Sequence, residues 1–431
     1  MGASHGLPQA ALVLVAVAVV LLAAVALGRL GRPLGQPAAV AEMVAGIVLG
    51  PSVLGQLPGD LPGRIFTPAT LPLLNAIAQV GLALFMFVVG WELDLTILRG
   101  KRGATGSMAA FSMAVPLALG AVTAAILYGK VYAGHVSEGI FIFYVGSAFA
   151  VTAFPVLARI IHDSGLTQTR IGTIAMACSA LGDVTAWCVL ALVVAMAVGG
   201  GTAGFVRIVA ITVGFGAFLA LVVRPLLRMW LRRVADSEKE AGAVPLLIAC
   251  GVLLSAYATS WIGINIIFGA FAFGIIMPRR EIRELSQQIR GPIENSARLF
   301  LPVFFILTGL SVNARVLGWS GLLGLLLVVS MAIAGKFTGA TIPARLSGMK
   351  WRESLAFGAL MNARGLTELV FLSVGRDLGV ISPRMFTVMV LMAVITTGIT
   401  HPVLRLLGVV PPRIAQVPDP DQSNLSGFAT A

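Results

Sequence analysis

Four ionisable side chains stand inside stretches that are otherwise apolar: Asp183 in IAMACSALGDVTAWCVLALVV, Lys336 in VVSMAIAGKFTGATIPA, and Arg364 with Glu368 in ALMNARGLTELV. A charge held away from water is costly, so each of these is a candidate for function, normally with a partner. Asp183 lies near the middle of its run. A carboxylate at that position is best accompanied by something positive, and a proton or a small monovalent cation would each serve. The chemistry open to it is alternation, with H⁺ held at one moment and a cation at another. The competing reading is an acid locked into a helix–helix hydrogen bond.

Lys336 also lies near the middle of its run, among small residues, and requires an anion. Asp183 is one candidate, and competition between Lys336 and an incoming cation for that carboxylate would couple their occupancy. The alternative is a lysine that snorkels to the interface. Asn362, Arg364, Gly365 and Glu368 crowd the middle of a third run and are incompatible with an uninterrupted lipid-facing helix, so a helix broken near Gly365 is expected. Arg364 and Glu368 are four residues apart, the spacing at which opposite charges on one helix face satisfy each other. A structural role for this charge centre is therefore preferred to direct ion binding. A second break is expected in SAFAVTAFPVLARI, where Pro155 follows shortly after Thr152 and proline removes a backbone donor and kinks a helix. Two interrupted helices crossing at mid-depth would aim half-helix poles at each other.

Other candidates are weaker. Glu42 in AEMVAGIVLGPSVLG sits at the end of an apolar run, where an exposed or capping role competes with function, and Gly46 and Gly50 beside it permit close helix packing. Glu92 and Asp94 close another run and read as interface residues or cation-attracting charges. His5, His135, His162 and His401 are scattered without metal-ligand spacing, and GKFTG at 335–339 lacks the glycine spacing and following Ser/Thr of a phosphate loop. Cys178, Cys188 and Cys250 lie in apolar segments and suggest packing rather than disulfides or metal. No enzyme constellation, resident metal or cofactor is expected.

The elements that must position these residues follow from composition. The 431 residues are 58% apolar and 11% charged, with 49 glycines and 22 prolines, and a soluble fold is excluded. Mean hydropathy is +0.96. The runs are near the ~20 residues needed to cross a bilayer as helix, and no alternating strand pattern competes. Thirteen runs are counted, at 8–28, 37–56, 71–91, 104–128, 137–158, 171–198, 204–226, 243–261, 265–277, 299–313, 316–342, 354–375 and 385–408, the ninth and tenth short. The first has no basic residues before it and is read as a span rather than a cleaved signal peptide. The fold class is thus an all-α membrane protein of about thirteen transmembrane helices. Residues 1–410 form the transmembrane domain and 411–431 a short polar tail.

The net charge of +12 is spread over short loops, which argues against nucleic acid as a partner and for topology. Of 30 Lys and Arg, 22 fall on the odd-numbered loops and the C-terminal tail. Cytoplasmic loops retain basic residues, so the N-terminus is expected outside and the C-terminus inside, in an inner or plasma membrane. A weak internal repeat is also visible. DSGLTQTRIGTI at 163–174 matches DLGVISPRMFTV at 377–388 in four positions, and LFMFVVGWELD at 84–94 resembles VFFILTGLSVN at 303–313. Each pair lies seven spans apart, an odd number, so the copies (approximately 37–198 and 243–408) cross in opposite senses, as in secondary transporters. Chance similarity between helix ends is the alternative.

Seven ordered segments carry a resemblance over residues 8 to about 408: AEMVAGIVLGPSVLG, GLALFMFVVGWELDL, SAFAVTAFPVLARI, ALGDVTAWCVLAL, FFILTGLSVN, GKFTG and MNARGLTEL. By these the chain resembles the monovalent cation:proton antiporter-2 family, which includes Kef-type and plant cation/proton exchangers. The resemblance implies a core domain moving against a dimerisation domain in an elevator-like cycle, usually in a homodimer within membrane lipid, and K⁺ or Na⁺ exchanged for H⁺. It implies that Asp183 matches the ion-binding aspartate with Thr152 nearby, that Lys336 matches the core lysine, and that Arg364 and Glu368 match the charged centre of a broken helix. The sequence departs from the family at Gly182, where electrogenic relatives commonly carry a second Asp, so electroneutral exchange is expected. The chain stops at Ala431 without the nucleotide-sensing domain of Kef-type proteins, so gating by such a domain is not expected, while a separate regulatory subunit stays open. A cation channel or gated efflux pathway on the same scaffold, and a non-transporting sensor, are the competing functions.

Overall fold

The computed structural model describes residues 9–31, 36–56, 61–92, 104–129, 132–166, 169–198, 202–235, 243–278 and 286–409. In chain order the helices are α1 (Gln9–Gly31), α2 (Ala38–Leu49), α3 (Leu61–Ile65), α4 (Leu71–Glu92), α5 (Ala104–Leu127), α6 (Glu138–Ala150), α7 (Phe154–Asp163), α8 (Arg170–Val198), α9 (Thr202–Phe218), α10 (Arg224–Ala235), α11 (Val244–Ile262), α12 (Ile266–Ile276), α13 (Ser286–Leu310), α14 (Gly318–Leu346), α15 (Trp351–Met361), α16 (Leu366–Asp377) and α17 (Pro383–Leu406). Among the described residues there is no strand, only a single bridge between Ala133 and Ile381. Apolar runs in lipid must pair their own backbone groups, and the helix does this within one segment.

Local chemistry sets the ends. Asn265 caps α12 by accepting the Ile267 N–H at 3.2 Å, and Ser382 caps α17 by accepting that of Met385 at 3.2 Å. Pro383 follows at the first helical position, where its missing N–H costs nothing. α11 stops at Gly263, whose φ of 96° only glycine adopts easily.

Among the described residues ten helices are long and apolar enough to cross a membrane, and the pair α15 and α16, bent by 40°, makes an eleventh. The count of thirteen is not reached by this measure. The expected fifth and ninth spans are occupied by the shorter apolar helices α6 and α12. The expected tenth span is longer than its apolar run, because α13 begins at Ser286, well before residue 299. Its polar turns are held by Arg290–Glu294 and Arg298–Glu294 ion pairs at helical spacing. The seventh is also extended: a π-turn over Leu219–Val223 carries α9 into α10. The tail 411–431 and Asp94 lie outside the described residues.

The helices pack in two groups. In the first, α5 lies against α6 and α14, α14 against α15 and α17, and α8 against α5, α6, α7 and α15. In the second, α4 lies against α12 and α13, α13 against α2, and α2 against α1. Hydrogen bonds between the groups include Gln36 Nε2 to the Gly398 carbonyl at 3.1 Å and the Asn313 N–H to Thr387 Oγ1 at 3.4 Å. The close packing expected at Gly46 is present: a Cβ there would stand 2.8 Å from the Gly309 Cα, where α2 crosses α13. Gly46→Ala is therefore expected to destabilise the protein by about 1–3 kcal/mol through overpacking. Gly214→Ala on α9, where a Cβ would meet nothing within 4 Å, is expected to be neutral or stabilising; melting temperatures in detergent compare the two.

Candidate ion-binding site

Two helices break at mid-depth and their breaks touch. One is interrupted at residues 151–153, between α6 and α7, the other at 362–365, between α15 and α16. The Ala153 N–H donates to the Ala363 carbonyl at 3.3 Å, and the Thr152 hydroxyl donates to the Met361 carbonyl at 3.0 Å. Farther out, the Tyr144 hydroxyl donates to the Phe371 carbonyl and ties α6 to α16. Each break exposes a helix end whose backbone groups have no water to bond.

The carbonyl end of α6 is met by two cations. Arg364 donates from Nη1 to the Ala148 carbonyl at 3.2 Å and from Nη2 to that of Phe149 at 3.1 Å. Lys336 Nζ donates to the Ala150 carbonyl at 2.6 Å, to Thr152 Oγ1 at 2.6 Å and to the Ser112 carbonyl at 3.4 Å. Arg364 and Lys336 are fully buried. Glu368, equally buried in the first turn of α16, pairs with Arg364 at 2.9 Å and faces the positive pole of its own helix. The Arg364 backbone is clamped by the Thr397 hydroxyl, which accepts its N–H at 2.9 Å and donates to its carbonyl at 2.9 Å.

The N–H end of α7 is met by Asp183. This residue is 4% exposed, and its Oδ2 accepts the Phe154 N–H at 3.3 Å. The Thr367 hydroxyl, in the first turn of α16, interacts with the same carboxylate. Asp183 therefore stands between the positive poles of α7 and α16. Its other oxygen, Oδ1, is buried and has no hydrogen-bond partner among the described residues. One helical turn earlier, the Ser179 hydroxyl holds the Thr152 carbonyl at 3.2 Å and so binds α8 to the first break. A Cβ built on Gly182 would meet nothing within 4 Å, so there is room for a side chain at the position preceding Asp183. A buried carboxylate oxygen without a donor among the described residues suits a proton or a cation.

The expected residues converge, with changes of detail. Asp183, Thr152, Lys336, Asn362, Arg364, Gly365 and Glu368 all lie at or beside the crossing. Lys336 takes carbonyls and a hydroxyl as hydrogen-bond partners rather than a carboxylate, because the α6 terminus supplies the negative pole it needs. Pro155 does not cause a kink: the break lies upstream, and Pro155 is the second residue of α7, where proline starts helices readily. Arg364 lies in the break and not on the face of α16, so its pair with Glu368 spans the helix start. Gly365 is extended, with φ 171°, and its requirement is space: a Cβ would collide with Val156 of α7. Asn362 donates from Nδ2 to the Thr396 carbonyl at 3.4 Å, while its Oδ1 has no partner among the described residues. The two breaks correspond at a sequence offset two or three residues shorter than the 214 of the matching motifs. Glu42 lies one turn into α2, away from the crossing, and Glu92 ends α4. Sequence reading missed Ser179, Thr367 and Thr397, whose one signal is a hydroxyl within an apolar run.

The family profile described as "Sodium/hydrogen exchanger, transmembrane" matches residues 17–406. The Na(+)/H(+) antiporter NhaS4 of Synechocystis is 38% identical over 91% of this chain and 96% of its own length. The Cation/H(+) antiporter 20 of Arabidopsis thaliana is 37% identical over 92% of this chain, which spans 48% of that longer protein. Among solved structures, the sodium proton antiporter MjNhaP1 of Methanocaldococcus jannaschii superposes with a TM-score of 0.68 over 93% of this chain and 99% of its own, at 12% identity. Two breaks crossing beside a buried aspartate, this shared fold and the full-length similarity place the chain in the sodium/hydrogen exchanger transmembrane family.

Proposed function

We propose that this multi-pass membrane protein exchanges a monovalent cation, Na⁺ or K⁺, for H⁺, with Asp183 holding one or the other in turn. The observation that carries the reading is the buried Asp183 carboxylate with one oxygen anchored on α7 and the other without a donor among the described residues. Proton and cation compete for the same oxygen, and competition at one site is what couples two fluxes. Thr152 stands next to this site, its hydroxyl engaged by Lys336, so it transmits any movement of the lysine to the break. Lys336 tunes the carboxylate through its charge, its own hydrogen bonds going to the Ala150 and Ser112 carbonyls and to Thr152 Oγ1.

The remaining proposals concern how the site meets both sides. The first helix group, which contains Asp183 and both breaks, moves against the second in an elevator-like cycle, and each group draws helices from both inverted repeats, 37–198 and 243–408. The protein works as a homodimer in the plasma membrane, with its N-terminus outside and C-terminus in the cytoplasm. The distribution of basic residues supports that orientation. A separate regulatory subunit is a further partner to test for. With Gly182 before Asp183, a single carboxylate carries one charge each way, and exchange is electroneutral.

Purified protein in liposomes with an interior pH dye tests this reading. Added Na⁺ or K⁺ should move protons in the wild type, and a dye that never responds to either ion ends the antiport reading. Asp183→Asn should fold normally, since its side-chain oxygen still accepts the Phe154 N–H, yet show no exchange. Lys336→Ala should shift the pH profile of exchange; an unchanged profile makes the lysine purely structural. Gly182→Asp, for which there is room, should turn a potential-independent exchange into one driven by a valinomycin-clamped potential. Arg364→Met leaves Glu368 buried and unpaired and should cost about 3–5 kcal/mol of stability. Arg364→Met/Glu368→Met should recover part of that loss in a detergent melt, which distinguishes a structural ion pair from an ion-binding one.

A further inference from the structure

Apart from the crossing, a second charged side chain is built into a cavity. A recess of about 240 Å³ opens where the last turn of α5 meets the first turns of α14 and α17. Ile126, Leu323 and Leu327 form its apolar walls, and Tyr132, Ser320 and Arg384 its polar end. Arg384 is fixed there: Nη2 donates to the Leu317 carbonyl at 2.6 Å and to Ser320 Oγ at 2.7 Å, and the guanidinium lies 5.4 Å from the centre of the Tyr132 ring. Its Nε is buried and has no hydrogen-bond partner among the described residues. Among the described residues no carboxylate lies within ion-pair distance of it. By contrast Arg376, at the same end of the bundle, has Asp377 at 3.6 Å.

We infer that this recess holds the phosphate headgroup of a phospholipid, with Arg384 as the phosphate ligand and an acyl chain lying along Ile126, Leu323 and Leu327. Three observations converge on that occupant. Among the described residues the one charge lining the recess is positive and has no carboxylate within ion-pair distance, and a guanidinium suits phosphate geometry. The walls are open to the membrane, with Ile126 45% and Leu323 58% exposed. Trp319, next to Ser320 and 79% exposed, marks the depth at which tryptophan gathers at the membrane–water boundary. A free anion would satisfy Arg384 and leave the apolar walls uncovered, whereas a lipid covers both. The lipid would bridge α5, α14 and α17, three helices of the group that carries Asp183, and α14 is the helix of Lys336.

Native mass spectrometry of the detergent-purified full chain tests the inference, with phosphatidylglycerol as the added lipid and inorganic phosphate as the comparison. The wild type should retain one tightly held phospholipid. Arg384→Gln should lower its occupancy about tenfold or more, the effect of one charge-assisted hydrogen bond. Leu323→Trp, which fills the recess without touching Arg384, should lower it as well, while Arg315→Gln, an exposed arginine on the neighbouring turn, should not. Equal lipid occupancy in all four proteins overturns the inference. Loss in Arg384→Gln with no change in Leu323→Trp also overturns it, and leaves Arg384 as a cap on the Leu317 carbonyl. Displacement of the lipid by millimolar inorganic phosphate would reassign the recess to a free anion.

Discussion

Breaking a helix at membrane depth strands N–H and C=O groups that water would otherwise satisfy, and it leaves partial charges of both signs facing one another. In this protein the two breaks are set side by side, and every charged residue of the core is arranged around the poles they create. Arg364 and Lys336 cover the carbonyl end of α6, Asp183 covers the N–H end of α7, and Glu368 lies at the N–H end of α16 while balancing Arg364. Without these charges the carbonyl end of α6 and the N–H end of α7 would lose the partners described above. Without the interruptions the charges would have no counter-poles. The crossing is therefore one mutually dependent unit.

That dependence explains how an aspartate can be buried and yet remain available. Had Lys336 formed a direct ion pair with Asp183, the carboxylate would be saturated and an incoming cation would first have to displace an ammonium. Instead Lys336 hydrogen-bonds to the Ala150 and Ser112 carbonyls and the Thr152 hydroxyl. Asp183 is steadied by a backbone N–H and a threonine hydroxyl, weak partners that leave one oxygen open.

The grouping of helices gives the crossing its surroundings. Its own bundle is closely tied by α5, α6, α8, α14 and α17, and among the described residues it is joined to the α1, α2, α4, α12 and α13 group by hydrogen bonds such as Gln36 to Gly398 and Asn313 to Thr387. Glycine contacts such as Gly46 with Gly309 keep the second group tight within itself. Lipid seated against Arg384 would strengthen the first group from its membrane side, so that both bundles would behave as bodies with a seam between them.

The sequence by itself determined the class of fold and the residues that matter. Apolar runs of spanning length force helices because lipid offers the backbone no partners, and a charge inside such a run can be retained only where protein compensates it. Asp183, Lys336, Arg364 and Glu368 were legible for that reason, and so was a break near Gly365. Partner assignments were not legible. Residue spacing shows that Arg364 and Glu368 can meet, but Lys336 and Ala150 are far apart in the chain, and a carbonyl acceptor has no letter of its own. The role of Pro155 as a helix start, the clamp by Thr397 and the open oxygen of Asp183 were likewise decided only in three dimensions, because they depend on which backbone groups two crossing breaks leave unsatisfied.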